Sequence, residues 1–188
     1  IPVYTKQGTW REIQDKLVVP KNQLIELTKG SLTLGNLIVE PFAVSHDAAD
    51  PIGINVFSGN DKATVVTDTG IISDDILHRL DDSTLLVLEA NYDPHMLRFG
   101  PYQPFLKQRV ASDEGHLSNE MAAQALLMMK RPDFMQVILA HRSENNNNAV
   151  LVTQTIGKML VDGGVRIGPE MKLQHGQPNE IVSMQSVK

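Results

Sequence analysis

Cysteine is absent from this 188-residue chain. That excludes disulfides, thiol nucleophiles and thiolate-held metals within it. Long apolar runs are absent too, and so are a membrane-span-length segment and the layout of a signal peptide. A positive excess is missing: the formal net charge is −5, which argues against a chain that coats nucleic acid by bulk electrostatics. Lys107 with Arg109 and Lys130 with Arg131 are the nearest to basic clusters, and solvated helix faces account for both. The G-x-S-x-G elbow, the P-loop and the G-x-G-x-x-G fingerprint do not occur. Metal-assisted hydrolysis is the chemistry left, with any ion bound through His, Asp, Glu, Asn or water.

What is present reads as an ordinary globular domain, 41% hydrophobic and 21% charged, with the cytoplasm as its default compartment. Short apolar runs bounded by Gly, Asp, Asn or Pro predict strands at 24–27, 37–44, 54–57, 63–66, 85–88 and 137–139. The first four follow one another closely and are expected to be antiparallel. Helices are predicted over 73–80, 118–129 and 147–160, with Ser73 and Ser118 as N-caps and Gly163-Gly164 as a stop. This pattern implies a mixed α/β layer with helices on one face of a sheet, plausibly half of a larger whole. Residues 1–188 show no internal repeat and no linker.

Polar residues cluster where those strands end. His46-Asp47 follow "PFAVS", Asp68 follows "ATVVT", Glu89, Asn91 and Asp93 close "LLVLEANYD", and His141 and Ser143 follow "VILA". A rigid strand aims such a side chain while the loop leaves it accessible. Each cluster has a plainer reading alone: a solvent-facing histidine, or an Asp that holds its own turn. Together they supply two imidazoles and carboxylates, a set suited to Zn²⁺, Mn²⁺ or Fe²⁺. In "DEGHLSNE", His116 and Asn119 flank a helix start, where backbone N–H groups welcome an anion. A capping segment with an incidental histidine explains that spacing equally well.

Read in order, "VSHDAADPIG", "VVTDTG", "LEANYDPHMLRFGPYQPFLKQRV", "GHLSN" and "LAHRSENNN" resemble the YycJ/WalJ-type branch of the metallo-β-lactamase-fold hydrolases over essentially the whole chain. The resemblance implies an αββα sandwich with a one- or two-metal site at the edge of its sheets. It also implies a cytoplasmic bacterial nuclease or phosphodiesterase, associated with 5′-to-3′ exonuclease activity on DNA and with repair. Carried across, His46, Asp68 and His141 match metal ligands, Asp68 as the bridging carboxylate, with Zn²⁺ or Mn²⁺ as the ion. Asp68 and His116 are the expected catalytic pair. Asn91, His116, Ser118, Asn119, Ser143 and Asn145 are expected around the substrate phosphates.

Two departures shape the expectation. Tyr92 stands where such proteins often have His, so it is given no metal role. The family's H-x-H-x-D-H motif, which supplies most of the ligands, occurs nowhere between Ile1 and Lys188. The sequence thus resembles the C-terminal portion of a family member, a single partial domain whose N-terminal strands and first metal motif are missing. Weak metal binding, no appreciable hydrolysis by the chain alone and self-association through an uncovered edge are the corresponding expectations. Two other readings stay open: a hydrolase of a small ester, lactone or nucleotide on the same fold, and a non-catalytic remnant that binds a partner.

Overall fold

The computed structural model describes residues 1–28, 30–177 and 181–183. In chain order the elements are β1 (Val3–Thr5), α1 (Gln7–Ile13), β2 (Leu24–Glu26), β3 (Leu32–Leu34), β4 (Leu37–Ala43), β5 (Ile52–Ser58), β6 (Asp61–Val66) and α2 (Asp74–Leu80). There follow β7 (Leu85–Glu89), α3 (Pro94–Phe99), α4 (Pro104–Val110), α5 (Asn119–Met128), β8 (Met135–Ala140), α6 (Ala149–Asp162) and β9 (Met171–His175).

Strands β3 to β9 form one seven-stranded sheet in sequence order. The pairs from β3 to β6 are antiparallel, and those from β6 to β9 are parallel. Connection length explains the switch. Gly35-Asn36 and Gly59-Asn60 close two-residue hairpins, and both glycines sit at positive φ, 62° and 60°, as such turns require. Each parallel pair needs a crossover instead, and α2, then α3 to α5, then α6 provide the three. As a consequence the carboxyl ends of β4, β6, β7, β8 and β9 lie along the same edge of the sheet.

One face of the sheet is dry. Phe42, Val66, Leu86, Leu88, Val137, Leu139 and Met171 point into it and pack with Ile76 and Leu80 of α2, Ala122 and Leu126 of α5, and Val152, Ile156 and Leu160 of α6. The alternate residues Val39, Ile54, Val56, Val65, Val87 and Ile138 form the opposite face by register, and none of them is buried. The second face is therefore apolar but incompletely covered, and Val65 stands 39% exposed.

The expected antiparallel meander needs one correction. Leu24–Glu26 pairs in parallel with β1 in a separate two-stranded sheet, because α1 supplies the crossover between them. Its expected place beside β4 is taken by β3. The predicted helices form with their caps as read: the Ser73 hydroxyl accepts from Ile76 N–H, and the Ser118 hydroxyl from Met121 N–H. The third helix begins at Ala149, capped by Asn148. Among the described residues no helix is long and apolar enough to cross a membrane.

Candidate metal centre

The shared edge brings His46, Asp68, His116 and His141 together. His46 Nδ1–H donates to the Gly115 carbonyl at 3.0 Å. A carbonyl can only accept, so this bond leaves the His46 Nε2 lone pair free. His141 and His116 donate from Nδ1 to one oxygen of Glu89, at 2.7 and 2.8 Å. Their Nε2 atoms are left free in the same way. His46 Nε2 and His141 Nε2 then stand 3.7 and 3.6 Å from the same Asp68 Oδ1. The rings of His46 and His141 each lie about 5 Å from that of His116.

These donors fit a divalent ion. A tetrahedral centre with bonds of about 2.0–2.2 Å keeps its ligand atoms roughly 3.3–3.6 Å apart, and the Asp68 separations of 3.6 and 3.7 Å lie at the top of that range and just beyond it. The ligand atoms of His46, Asp68 and His116 also lie within 4.8 Å of one another. Glu89, His116 and His141 form a second such group, but there the close approach is a set of hydrogen bonds to Glu89, with no room for an ion. Asp68 and His141 are 42% and 41% exposed, against 10% for His46 and 14% for His116. The open side is thus the Asp68–His141 side.

The sequence places Glu89 among the polar residues at strand ends without a ligand role, and the structure makes it the support of the centre. It is fully buried at the end of β7. Its second oxygen accepts from the backbone N–H of Thr69, beside Asp68, and of Leu117, beside His116. Burial pushes its carboxyl up, but the hydrogen bonds from His116 and His141, with the His116 charge and the Thr69 N–H, outweigh burial and hold it below the usual carboxylate range. The bond to Glu89 in turn raises the His141 imidazole, against burial and with help from the Glu89 and Asp68 charges.

The pH consequence has a definite sign. Glu89, being lowered, stabilises the fold above its ordinary value of 4.5, and this is lost as pH falls through the folded value. His141, being raised, stabilises the fold fully below 6.5, and this is lost as pH rises through its folded value. Urea midpoints of the chelator-treated chain should therefore show the pair's contribution in full only between about pH 4.5 and 6.5. Glu89→Gln should flatten that profile.

Other predicted site residues fall into two groups. Asn91 donates to the His141 carbonyl at 2.7 Å, and with Ser143 and Asn145 it lines a hollow of about 330 Å³ over His116 and His141. Ser118 and Asn119 are corrected. Ser118 is buried with its hydroxyl on Met121 N–H. Asn119 is fully buried, and Asn147 bonds both to it and to the Ala90 and Asn91 carbonyls. Neither can reach a phosphate. Tyr92 is buried, in a bridge to Ser118.

The loop that carries His116 is tightly seated. A Cβ on Gly115 would lie 2.2 Å from the Arg109 carbonyl and 2.4 Å from that of Val110, and backbone cannot step aside as a flexible side chain would. Gly115→Ala should cost about 1–3 kcal/mol in urea unfolding. It should weaken metal binding as well, because Gly115 also fixes His46. Arg109 further ties this region down through a two-pronged pair with Asp47, at 2.5 and 2.8 Å.

A histidine and carboxylate cluster at the edge of a helix-backed mixed sheet is a donor set suited to metal-dependent hydrolysis. The model of the β-lactamase superfamily domain matches residues 1–141, and the chain belongs to that family of metal-dependent hydrolases. Among its relatives, exodeoxyribonuclease YycJ of Bacillus anthracis is 32% identical over 189 residues, spanning 100% of this chain and 72% of YycJ. Exodeoxyribonuclease WalJ of Streptococcus pneumoniae is 30% identical over 182 residues, 94% of this chain and 67% of WalJ. The metallo-β-lactamase-fold protein YhfI of Bacillus subtilis shares the fold at a TM-score of 0.65 and 13% identity, and the match covers 94% of this chain but only 62% of YhfI.

Proposed function

We propose that the chain belongs to a metal-dependent phosphodiesterase, a 5′-to-3′ DNA exonuclease linked to DNA repair and working in the cytoplasm. The observation that carries this reading is the pair of Nε2 atoms, from His46 and His141, held 3.7 and 3.6 Å from one Asp68 oxygen. The names of YycJ and WalJ supply the substrate class. In this reading His46, Asp68 and His141 would hold Zn²⁺ or Mn²⁺. Such an ion lowers the pKa of a bound water and polarises a phosphoryl oxygen.

The chain's own proton chemistry falls to His116. Its Nδ1 is committed to Glu89, so Nε2 is the atom that exchanges protons with the substrate. As a new P–O bond forms from water and the P–O bond to the departing nucleotide breaks, the free Nε2 of His116 would take the proton the water loses and pass it to the leaving oxygen. Asn91, Ser143 and Asn145 face the same hollow and contact the strand. These 188 residues contain no H-x-H-x-D-H, and on their own we expect them to bind the ion weakly and to hydrolyse little.

The test is an assay on a 5′-labelled oligonucleotide with Mn²⁺ or Zn²⁺. It compares this chain with the longest product of its reading frame. Chelator-sensitive release of nucleotides by a product that contains the H-x-H-x-D-H motif supports the reading, whereas cleavage of lactones but not of DNA would overturn it. The half-covered apolar face suggests that this chain also self-associates, which sedimentation over a range of concentrations would show as a rising weight-average mass.

A further inference from the structure

The hollow of about 330 Å³ over His116 and His141 has two unlike walls. One is apolar and comes from α4 and the turn before it, through Tyr102, Leu106 and Val110. These three pack with the buried Tyr92 and Leu97 as a small core of their own, apart from the main one. Tyr102 itself is only half-buried. The facing wall is the loop after β8, from which Ser143, Glu144 and Asn145 border the hollow. That loop is pinned from beneath. Ser143 N–H donates to the Asn91 carbonyl at 2.9 Å, and the Ser143 hydroxyl accepts from Asn146 N–H at 3.1 Å. Glu144 and Asn145 stay exposed on the rim.

Charge decides what fits between the walls. Arg109, on the apolar side, is committed to Asp47. On the polar side Arg142 and Glu144 carry opposite signs. The hollow therefore has no positive excess, and its exposed carboxylate repels a phosphate. A flat heterocycle suits it instead. Tyr102 offers a ring to the apolar face of such a group, while Asn145 and Glu144 offer an amide and a carboxylate to its polar edge. The volume is at the low end of small-ligand sites, which run from about 300 to 1,000 Å³.

We propose that this hollow is a nucleobase site, with Tyr102 as its stacking face, which takes an unpaired base beside the phosphodiester at the candidate metal centre. Its place beside a phosphodiester rests on the phosphodiesterase reading above; the base site itself does not. A base inside a duplex is stacked and cannot enter, so a paired end must first open its last pair. The substrate class is then a nucleic acid end that is single-stranded or frayed. The surface beyond Tyr102 has the matching character. Residues 94–112 contain no Asp or Glu, in a chain of net charge −5. Phe99 and Phe105 are exposed there. Arg98 lies 5.3 Å from the Phe99 ring, and Lys107 Nζ donates to the Arg98 carbonyl at 2.8 Å. Neither cation has a carboxylate partner among the described residues. Exposed rings among such cations suit a single strand, the rings for its bases and the cations for its backbone.

Two measurements on this chain test the site. The first is an NMR titration with a deoxynucleoside, which carries no phosphate, following the Tyr102 ring and the Asn145 amide. Saturable shifts at both support the site if binding weakens about tenfold in Tyr102→Leu and persists in Tyr102→Phe. The second is binding of a labelled single-stranded oligonucleotide, with or without abasic residues at its two 5′-terminal positions. The wild type should bind the base-bearing end about tenfold more tightly. Tyr102→Leu should lose that preference, and Tyr102→Phe should keep it. A purely structural Tyr102 would weaken both oligonucleotides equally in Tyr102→Leu, and that result overturns the assignment. If the nucleoside leaves Tyr102 unmoved and the two ends bind alike, the base site falls while the nuclease reading stands. If the nucleoside binds at Tyr102 but no strand is bound or cleaved, the nuclease reading falls while the base site stands.

Discussion

Glu89→Gln should lower the affinity of the chain for Zn²⁺ or Mn²⁺ by about 10- to 100-fold, the usual range for a residue that orients metal-binding imidazoles. The reason is a conflict of donors. Glu89 accepts four hydrogen bonds, two from the imidazoles and two from the Thr69 and Leu117 N–H groups. A glutamine amide has only one accepting atom, and its NH₂ faces donors wherever it is placed. One pair of partners is then lost, either the imidazoles, which turn, or the loop N–H groups, which move Asp68 and His116. The variant should also be less stable, by about 3–5 kcal/mol if the imidazoles are left charged without their buried partner, and by less where they can deprotonate. Isothermal titration with the metal and urea unfolding give the two numbers. Unchanged metal affinity in a folded Glu89→Gln chain would remove Glu89 from the account of the site.

The same residue shows where sequence reasoning reaches and where it stops. His46, Asp68 and His141 are legible because each is the first ionisable group after an apolar run, and β4, β6 and β8 run in the same direction, which puts those exits on one edge. Glu89 follows "LLVL" in the same manner, but a buried acceptor and a solvent-facing carboxylate look alike at that position. The available signal was the apolar Ala90 immediately after it, which continues the buried run instead of breaking it. The tetra-asparagine shows the opposite limit. One residue type repeated four times does four jobs. Asn145 lines the hollow, the Asn146 carbonyl accepts from Asp93 N–H, Asn147 binds two buried carbonyls, and Asn148 caps α6. Composition cannot distinguish these. Strand β9 was missed because "MKLQH" alternates apolar and polar residues without a run, and with it the position of His175 beside β8.

Asp68→Asn should weaken metal binding beyond the loss expected for Glu89→Gln, by more than about 100-fold, since it alters a donor atom and not merely its support. It should do so with little cost in stability. Asp68 sits in the left-handed region, at φ 56°, as does His141 at φ 53°. Asparagine adopts that region about as readily as aspartate, so the substitution removes the charge and preserves the turn. Asp68→Ala makes the contrast: it loses the carboxylate and also places an ordinary Cβ residue in a conformation that costs it roughly 1–2 kcal/mol. Equal metal affinities for the two variants with different urea midpoints would separate the chemistry of the carboxylate from the strain of its backbone. An Asp68→Asn chain that kept its affinity would mean that the two Nε2 atoms facing Asp68 gather around something other than an ion, and the hydrolase reading of this edge would lose its central residue.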